Sequence, residues 1–183
     1  MKSRFAAAII LTVAAALPAP AIIQRTVPLK DVLAGETFIF AAKVGKLDIA
    51  GMAMGIEVGE YFKARFPYPG FTVDLHGDAE AKKTKQSEQL IARLKPGLDM
   101  MVFGSVRNSK TTLYAYTNGT WFQITGPDSP TLVFTHFEPY FRRTFAGPTA
   151  QLKQAVIDGL AGKKDPPAPN PKEPPGIGPP IQK

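Results

Sequence analysis

The sequence predicts a mainly β domain with two helices, an α+β chain folded as a small closed or half-closed barrel, and three observations lead there. Short runs of β-branched, aromatic and aliphatic residues recur between turn signals along most of the chain. Helical patterning is confined to two stretches, Ala79 to Leu94 and Pro148 to Leu160. The 183 residues include no cysteine, so stability must come from an ordinary apolar core, and disulfides, thiolate metal sites and cysteine nucleophiles are excluded.

The first strand is expected at Thr37 to Val44, between Gly35 and Gly45. In the second, Met52, Met54, Ile56 and Val58 alternate with small or polar residues, so one face is buried. Phe71 to Leu75 alternates as a third strand, entered through Pro67-Tyr68-Pro69-Gly70 and left at His76-Gly77-Asp78. A helix over Ala79 to Leu94 groups Leu90, Ile91 and Leu94, and its leading half, with Lys82, Lys83 and Lys85, is polar all round, leaving fraying or a loop as the alternative there. A meander follows: Asp99 to Val106, Thr112 to Tyr116 and Thr120 to Ile124, with Asn118-Gly119 a strong hairpin signal. A last strand, Thr131 to Glu138, precedes a helix from Pro148 to Leu160, stopped by Gly162.

The two ends read differently from this middle. Lys2 and Arg4, an apolar run from Phe5 to Leu17, and Pro18-Ala19-Pro20-Ala21 have the order of a secretory signal peptide, with cleavage expected after Ala21. The run is short of the roughly 20 apolar residues that span a bilayer. The expected organisation is therefore a signal peptide at 1–21, a single barrel-like domain at 22–162 and a disordered, proline-rich tail at 163–183. The tail has almost no apolar side chains with which to offset its ordering entropy. Export places the mature protein in the periplasm or outside the cell.

The formal charge of +7 overstates the basicity of the domain. Losing Lys2 and Arg4 lowers it to +5, and the tail, with four lysines against Asp165 and Glu173, carries two more positive charges, leaving +3. That balance gives mild attraction to polyanions.

No GxxxxGK, GxGxxG, GxSxG or HExxH pattern occurs, so the enzyme classes legible from such motifs are unsupported, and no cofactor is expected. Histidine chemistry rests on His76 and His136. Alternation puts His136 and Glu138 on one face of the last strand and Asp74 and His76 on one face of the third. If those faces met, with Asp78 nearby, the set would suit zinc or acid–base hydrolysis. The competing reading makes His76 a turn residue and His136 with Glu138 a hydrogen-bonded surface pair.

The segment Glu138 to Phe145 is the densest unusual patch. Arg142 and Arg143 offer forked recognition of carboxylate, sulfate or phosphate, and Tyr140, with Trp121 nearby, offers stacking faces. The competing reading closes the barrel end with Tyr140, Phe141 and Phe145 and pairs the arginines with Glu138 or helix carbonyls. Phe103, Tyr114, Tyr116, Trp121 and Phe122, near Arg107 and Lys110, would form a stacking surface for single-stranded nucleic acid if they faced outward.

Three strands, a helix, a meander and a closing helix resemble an OB-type barrel. Over Glu36 to Leu160 the order also resembles the netrin-like family that includes tissue inhibitors of metalloproteinases. The chain lacks that family's disulfide cysteines and the N-terminal cysteine that chelates zinc, so inhibition of that kind is not implied. Thr117-Asn118-Gly119-Thr120-Trp121-Phe122, together with Phe134 to Phe145, resembles uncharacterised secreted proteins of planctomycete-type bacteria, which implies no activity.

The expectation is an exported, non-catalytic binding or structural module. It engages an envelope protein or anionic polysaccharide through Tyr140, Arg142, Arg143, Trp121, His136 and Glu138. The alternatives are a metal-dependent hydrolase using His76 and His136, and polyanion or single-stranded nucleic-acid binding.

Overall fold

The computed structural model describes residues 26–179, so the signal peptide expected at 1–21 lies outside the described residues, as do residues 180–183. Seven strands form a closed barrel: β1 (Phe38–Asp48), β2 (Ala53–Tyr61), β3 (Gly70–Asp74), β4 (Asp99–Arg107), β5 (Lys110–Thr117), β6 (Thr120–Pro127) and β7 (Thr131–Phe137). Their order around the barrel is β1-β2-β3-β7-β6-β5-β4, with β4 closing on β1. Every pairing is antiparallel except β3 with β7, which run parallel. Four α-helices complete the described chain: α1 (Leu29–Gly35), α2 (Ala79–Lys83), α3 (Gln86–Ile91) and α4 (Thr149–Leu160). A 3-10 helix spans Pro139–Arg143.

The expected strands all form, and two departures have local causes. Gly45 does not end β1: the strand runs on to Asp48 through a register shift between Val44 and Leu47 opposite β2. A Cβ at Gly45 would stand 2.9 Å from the Glu57 carboxylate, so this glycine serves the close approach at an irregularity. The single helix expected over Ala79 to Leu94 is two short ones, because Lys85 adopts a left-handed backbone (φ 55°) between them. The Asp78 carboxylate caps α2 by accepting from the Ala81 amide at 2.9 Å. Ala81 is the one buried residue of that polar turn, leaving little apolar contact to carry it further.

Burial occurs on both sides of the barrel wall. Inside lie Phe40, Val44, Met54, Ile56, Phe71, Val73, Val102, Leu113, Phe122, Ile124, Leu132 and Phe134. Outside, Ile39 of β1, Met101 and Phe103 of β4, Tyr116 of β5 and Trp121 of β6 form a second core. Leu29, Val32 and Leu33 of α1, Phe141 of the 3-10 helix, and Leu152 and Val156 of α4 cover them. The run Met100 to Phe103 is consequently buried residue after residue, as expected of a strand with both faces covered.

Residues 163–179, expected as a disordered solvated tail, lie along this outer layer. Pro166 and Leu33 of α1 both close on Gly159 of α4, where a Cβ would lie 2.9 Å from each. The Asn170 amide donates to the Arg143 carbonyl at 2.7 Å, and the Gly176 amide to that of Pro139 at 3.2 Å. Backbone hydrogen bonds, the Glu173–Arg142 ion pair and one apolar side chain, Ile177 against the inner core, supply what the composition lacks.

Gly104 of β4 faces Leu113 of β5, and a Cβ there would lie 2.3 Å from the Thr112 carbonyl oxygen and 3.0 Å from Leu113 Cα. Gly104→Ala should therefore destabilise the domain by about 1–3 kcal/mol. Urea unfolding reads this directly, and a wild-type midpoint would refute the β4–β5 register.

Candidate functional site

The residues singled out between Trp121 and Arg143 come together where β6, β7 and the 3-10 helix meet. Gln123 pairs with His136, and Phe122 with Phe137, but Ile124 pairs with Phe134. Thr135 is thus an extra residue in β7, and this bulge lets Phe134 and Phe137 both enter the core while His136 turns to the outer face. The Thr135 hydroxyl lies 3.0 Å from Gln123 Oε1, and Gln123 Nε2 donates to the Tyr114 hydroxyl at 3.3 Å.

His136 Nε2 and Glu138 Oε1 are 2.9 Å apart, so the expected local pair forms. It is asymmetric, however: the His136 side chain is 26% exposed and that of Glu138 only 1%. The other oxygen, Glu138 Oε2, is buried without a hydrogen-bond partner. The Glu138 amide donates to the Trp121 carbonyl at 2.9 Å, which fixes the carboxylate against the barrel wall before Pro139 turns the chain. Burial raises the pKa of the neighbouring Tyr114 phenol, the Glu138 and Glu36 carboxylates add to that rise, and the Gln123 hydrogen bond opposes it. Burial likewise raises Glu36 against the pull of Arg107, Lys63 and Ser105.

The arginines turn away from Glu138 and toward the C-terminal segment. Arg142 Nη1 donates to the Gly119 carbonyl at 2.9 Å, and Nη2 pairs with the Glu173 carboxylate. Arg143 sits over the Tyr140 ring, 5.2 Å from its centroid, and its Nε donates to the Glu173 carbonyl at 3.3 Å.

The aromatic side chains are structural. Trp121 is 1% exposed, and Phe103, Tyr116 and Phe122 are fully buried. Trp121 stands edge-on to Phe141 with ring centres 5.4 Å apart, and its indole N–H donates to the Phe145 carbonyl at 2.8 Å. The Tyr116 hydroxyl donates to the Gly147 carbonyl and accepts from the Gly119 amide. The stacking surface expected for nucleic acid is therefore corrected: those strands are covered on their outer face by α1, α4 and the 3-10 helix, and Phe122 points inward.

His76 does not join His136. Its Nδ1 lies 2.7 Å from Asp74 Oδ1, which also accepts from the His76 amide at 2.8 Å, and Asp78 is engaged as the α2 cap. Burial tends to raise the Asp74 pKa, but the His76 amide and ring, with Lys82, outweigh it and the net shift is downward. Among the described residues no three histidine, aspartate or glutamate side chains converge to hold a metal ion. The two histidines form two separate pairs, each with a carboxylate two residues away.

A cleft of about 230 Å³ lies between β1, β2, β4 and α4, over Ala41, Gly59 and Met101, with Lys43–Asp99 and Lys153–Glu60 ion pairs at its rim. None of the site residues expected from the sequence lines it.

Comparison of the chain with protein-family models, with curated proteins and with solved structures finds no match. Sequence reasoning missed Gln123, its hydrogen bond to Tyr114, and the contributions of Arg93, Gly119, Glu173, Gly176 and Gly178. One signal was available for the last group: Ile177, flanked by two glycines, is the sole branched aliphatic residue between 163 and 179.

Replacing His136 with alanine leaves the buried Glu138 carboxylate with neither oxygen partnered. Chemical unfolding should show a loss of about 1–3 kcal/mol, with a smaller loss for Glu138→Gln. Equal, negligible losses would contradict the pairing.

Proposed function

We propose that this chain is an exported, non-catalytic binding module that holds a carboxylate-bearing protein segment on the face around the 3-10 helix. The observation that carries the reading is the Arg142 guanidinium, aligned by the Gly119 carbonyl and paired with the Glu173 carboxylate. With Nη1 held by Gly119, Nη2 is the arm that meets a carboxylate oxygen, in a charge-assisted hydrogen bond. A peptide is favoured over an anionic polysaccharide because the carbonyls of Arg143 and Pro139 accept amide N–H groups beside the same guanidinium. An extended peptide supplies an amide at each residue.

Other readings have less support. The aromatic residues required for stacking bases lie under helices, and the two histidines belong to separate pairs. Export to the periplasm or beyond is supported by the order of Lys2, Arg4, the apolar run and Ala21. A relation to OB-type barrels, in the netrin-like form, is supported by barrel closure and by helices between the third and fourth strands. Seven strands exceed the five of the OB barrel.

The test uses the full chain carrying Glu173→Gln, which frees Arg142 from its internal carboxylate. This chain should be retained on immobilised polyglutamate at low salt, elute as salt rises, and lose retention at least fivefold when Arg142→Gln is added. Retention indifferent to Arg142 would contradict the proposal. Preference for polygalacturonate, lost with the same substitution, would transfer the site to a polysaccharide.

A further inference from the structure

The contacts of the C-terminal segment are concentrated in its last stretch. Beside residues 164–169 lie two clefts of about 350 and 340 Å³, one against α4 and one against α1, with Pro166 the contact on Gly159. From Asn170 onward the segment is held by directed hydrogen bonds and an ion pair. The Glu173 carboxylate meets Arg142, and its carbonyl accepts from Arg143 Nε. The Gly176 amide donates to the Pro139 carbonyl. Ile177 packs on the barrel's inner core. Gly178 is buried, its carbonyl accepts from Arg93 Nε at 2.8 Å, and a Cβ there would lie 2.5 Å from the Asn118 carbonyl oxygen and 2.8 Å from the Gly119 carbonyl carbon. Both of those obstacles are backbone of the β5–β6 turn, so glycine alone fits without moving the hairpin.

We infer that residues 170–178 are a resident ligand in a peptide-reading groove, and that the groove takes a partner protein's segment of the same chemistry. That segment carries a carboxylate and, four residues on, an aliphatic side chain between two glycines. The inference rests on the carboxylate reading proposed above and extends it to a sequence. Arg142 selects the charge, the barrel end selects the aliphatic group, and the wall formed by Asn118 and Gly119 excludes any side chain at the last position. Charge complementarity places the occupant: Arg93, Arg142 and Arg143 all face the segment, and one carboxylate answers them.

The resident segment is displaceable. One aliphatic side chain, one partly exposed ion pair and four hydrogen bonds at the protein surface, each of modest net worth, oppose the entropy of ordering nine residues, so its opening lies toward the low end of the stability range. Tethering compensates by giving the segment a high local concentration, so that a partner must compete with it.

The experiment uses the full chain with Glu173→Gln and Gly178→Ala, and a labelled synthetic peptide of residues 170–179 as probe. The double variant should bind the peptide saturably and at least tenfold more tightly than the wild-type chain, whose groove is filled. Peptides bearing either substitution should bind the double variant at least tenfold more weakly than the unmodified peptide. Equal binding by both chains would overturn the inference. So would sedimentation of the wild-type chain as a tail-exchanged dimer, which would assign the groove to a second copy. A double variant that holds polyglutamate but ignores the peptide refutes the sequence reading and leaves the carboxylate reading standing; one that binds neither refutes both. Hydrogen exchange on the wild-type chain provides a measurement independent of the variants: the Asn170 and Gly176 amides should exchange at least a hundredfold faster than central β4 amides, and equal protection would make the segment part of the core.

Discussion

Strands β1, β4, β5 and β6 bury side chains on both faces, and the outer layer follows from that constraint. Ile39, Met101, Phe103, Tyr116 and Trp121 would form a broad apolar patch on a bare barrel, a surface soluble domains rarely leave uncovered. Helices α1 and α4 and the 3-10 helix cover it. Trp121 sits at the junction, touching Phe103, Tyr116 and Phe141 by its ring and Phe145 by its indole N–H. The position of the 3-10 helix, and with it Arg142 and Arg143, is thus set by aromatic packing.

Burial of the aromatics also separates the two groups that looked alike in the sequence. Aromatic and basic residues near one another suggest a stacking platform, but here the rings face the protein and the guanidiniums face the chain's own segment 173–178. The reason is geometric: a strand alternates its side chains between faces, and a barrel covered on its outside buries both. Polar groups remain where the cover ends. Tyr114, Gln123 and His136 occupy that border, with Glu138 just inside it.

Much of the fold was legible. Met54 and Ile56 alternate as expected for β2, Phe71 and Val73 for β3, and Asn118-Gly119 turns β5 into β6 with positive φ at both residues. What escaped was set by tertiary contact. Helix α1 is seven residues long and has no periodic stripe of useful length, so only its seat on α4 and the barrel defines it. Lys85 breaks a helix that its neighbours' propensities would continue. The histidine pairing was half legible: His136 and Glu138 meet as alternation suggested, through a bulge that alternation does not foresee, whereas no local pattern tells whether His76 approaches them. The C-terminal segment was least legible, because its composition argues for disorder. Its docking depends on backbone hydrogen bonds and on the absence of a side chain at Gly178, neither of which composition expresses.

The two-layer account is tested most directly by the fluorescence of Trp121, the chain's single tryptophan. With the indole 1% exposed beneath Phe141, emission should be shifted to the blue of free tryptophan, iodide should scarcely quench it, and Glu173→Gln with Gly178→Ala should leave it unchanged. Water-like emission and strong quenching in the folded chain would show that the outer aromatic face is open.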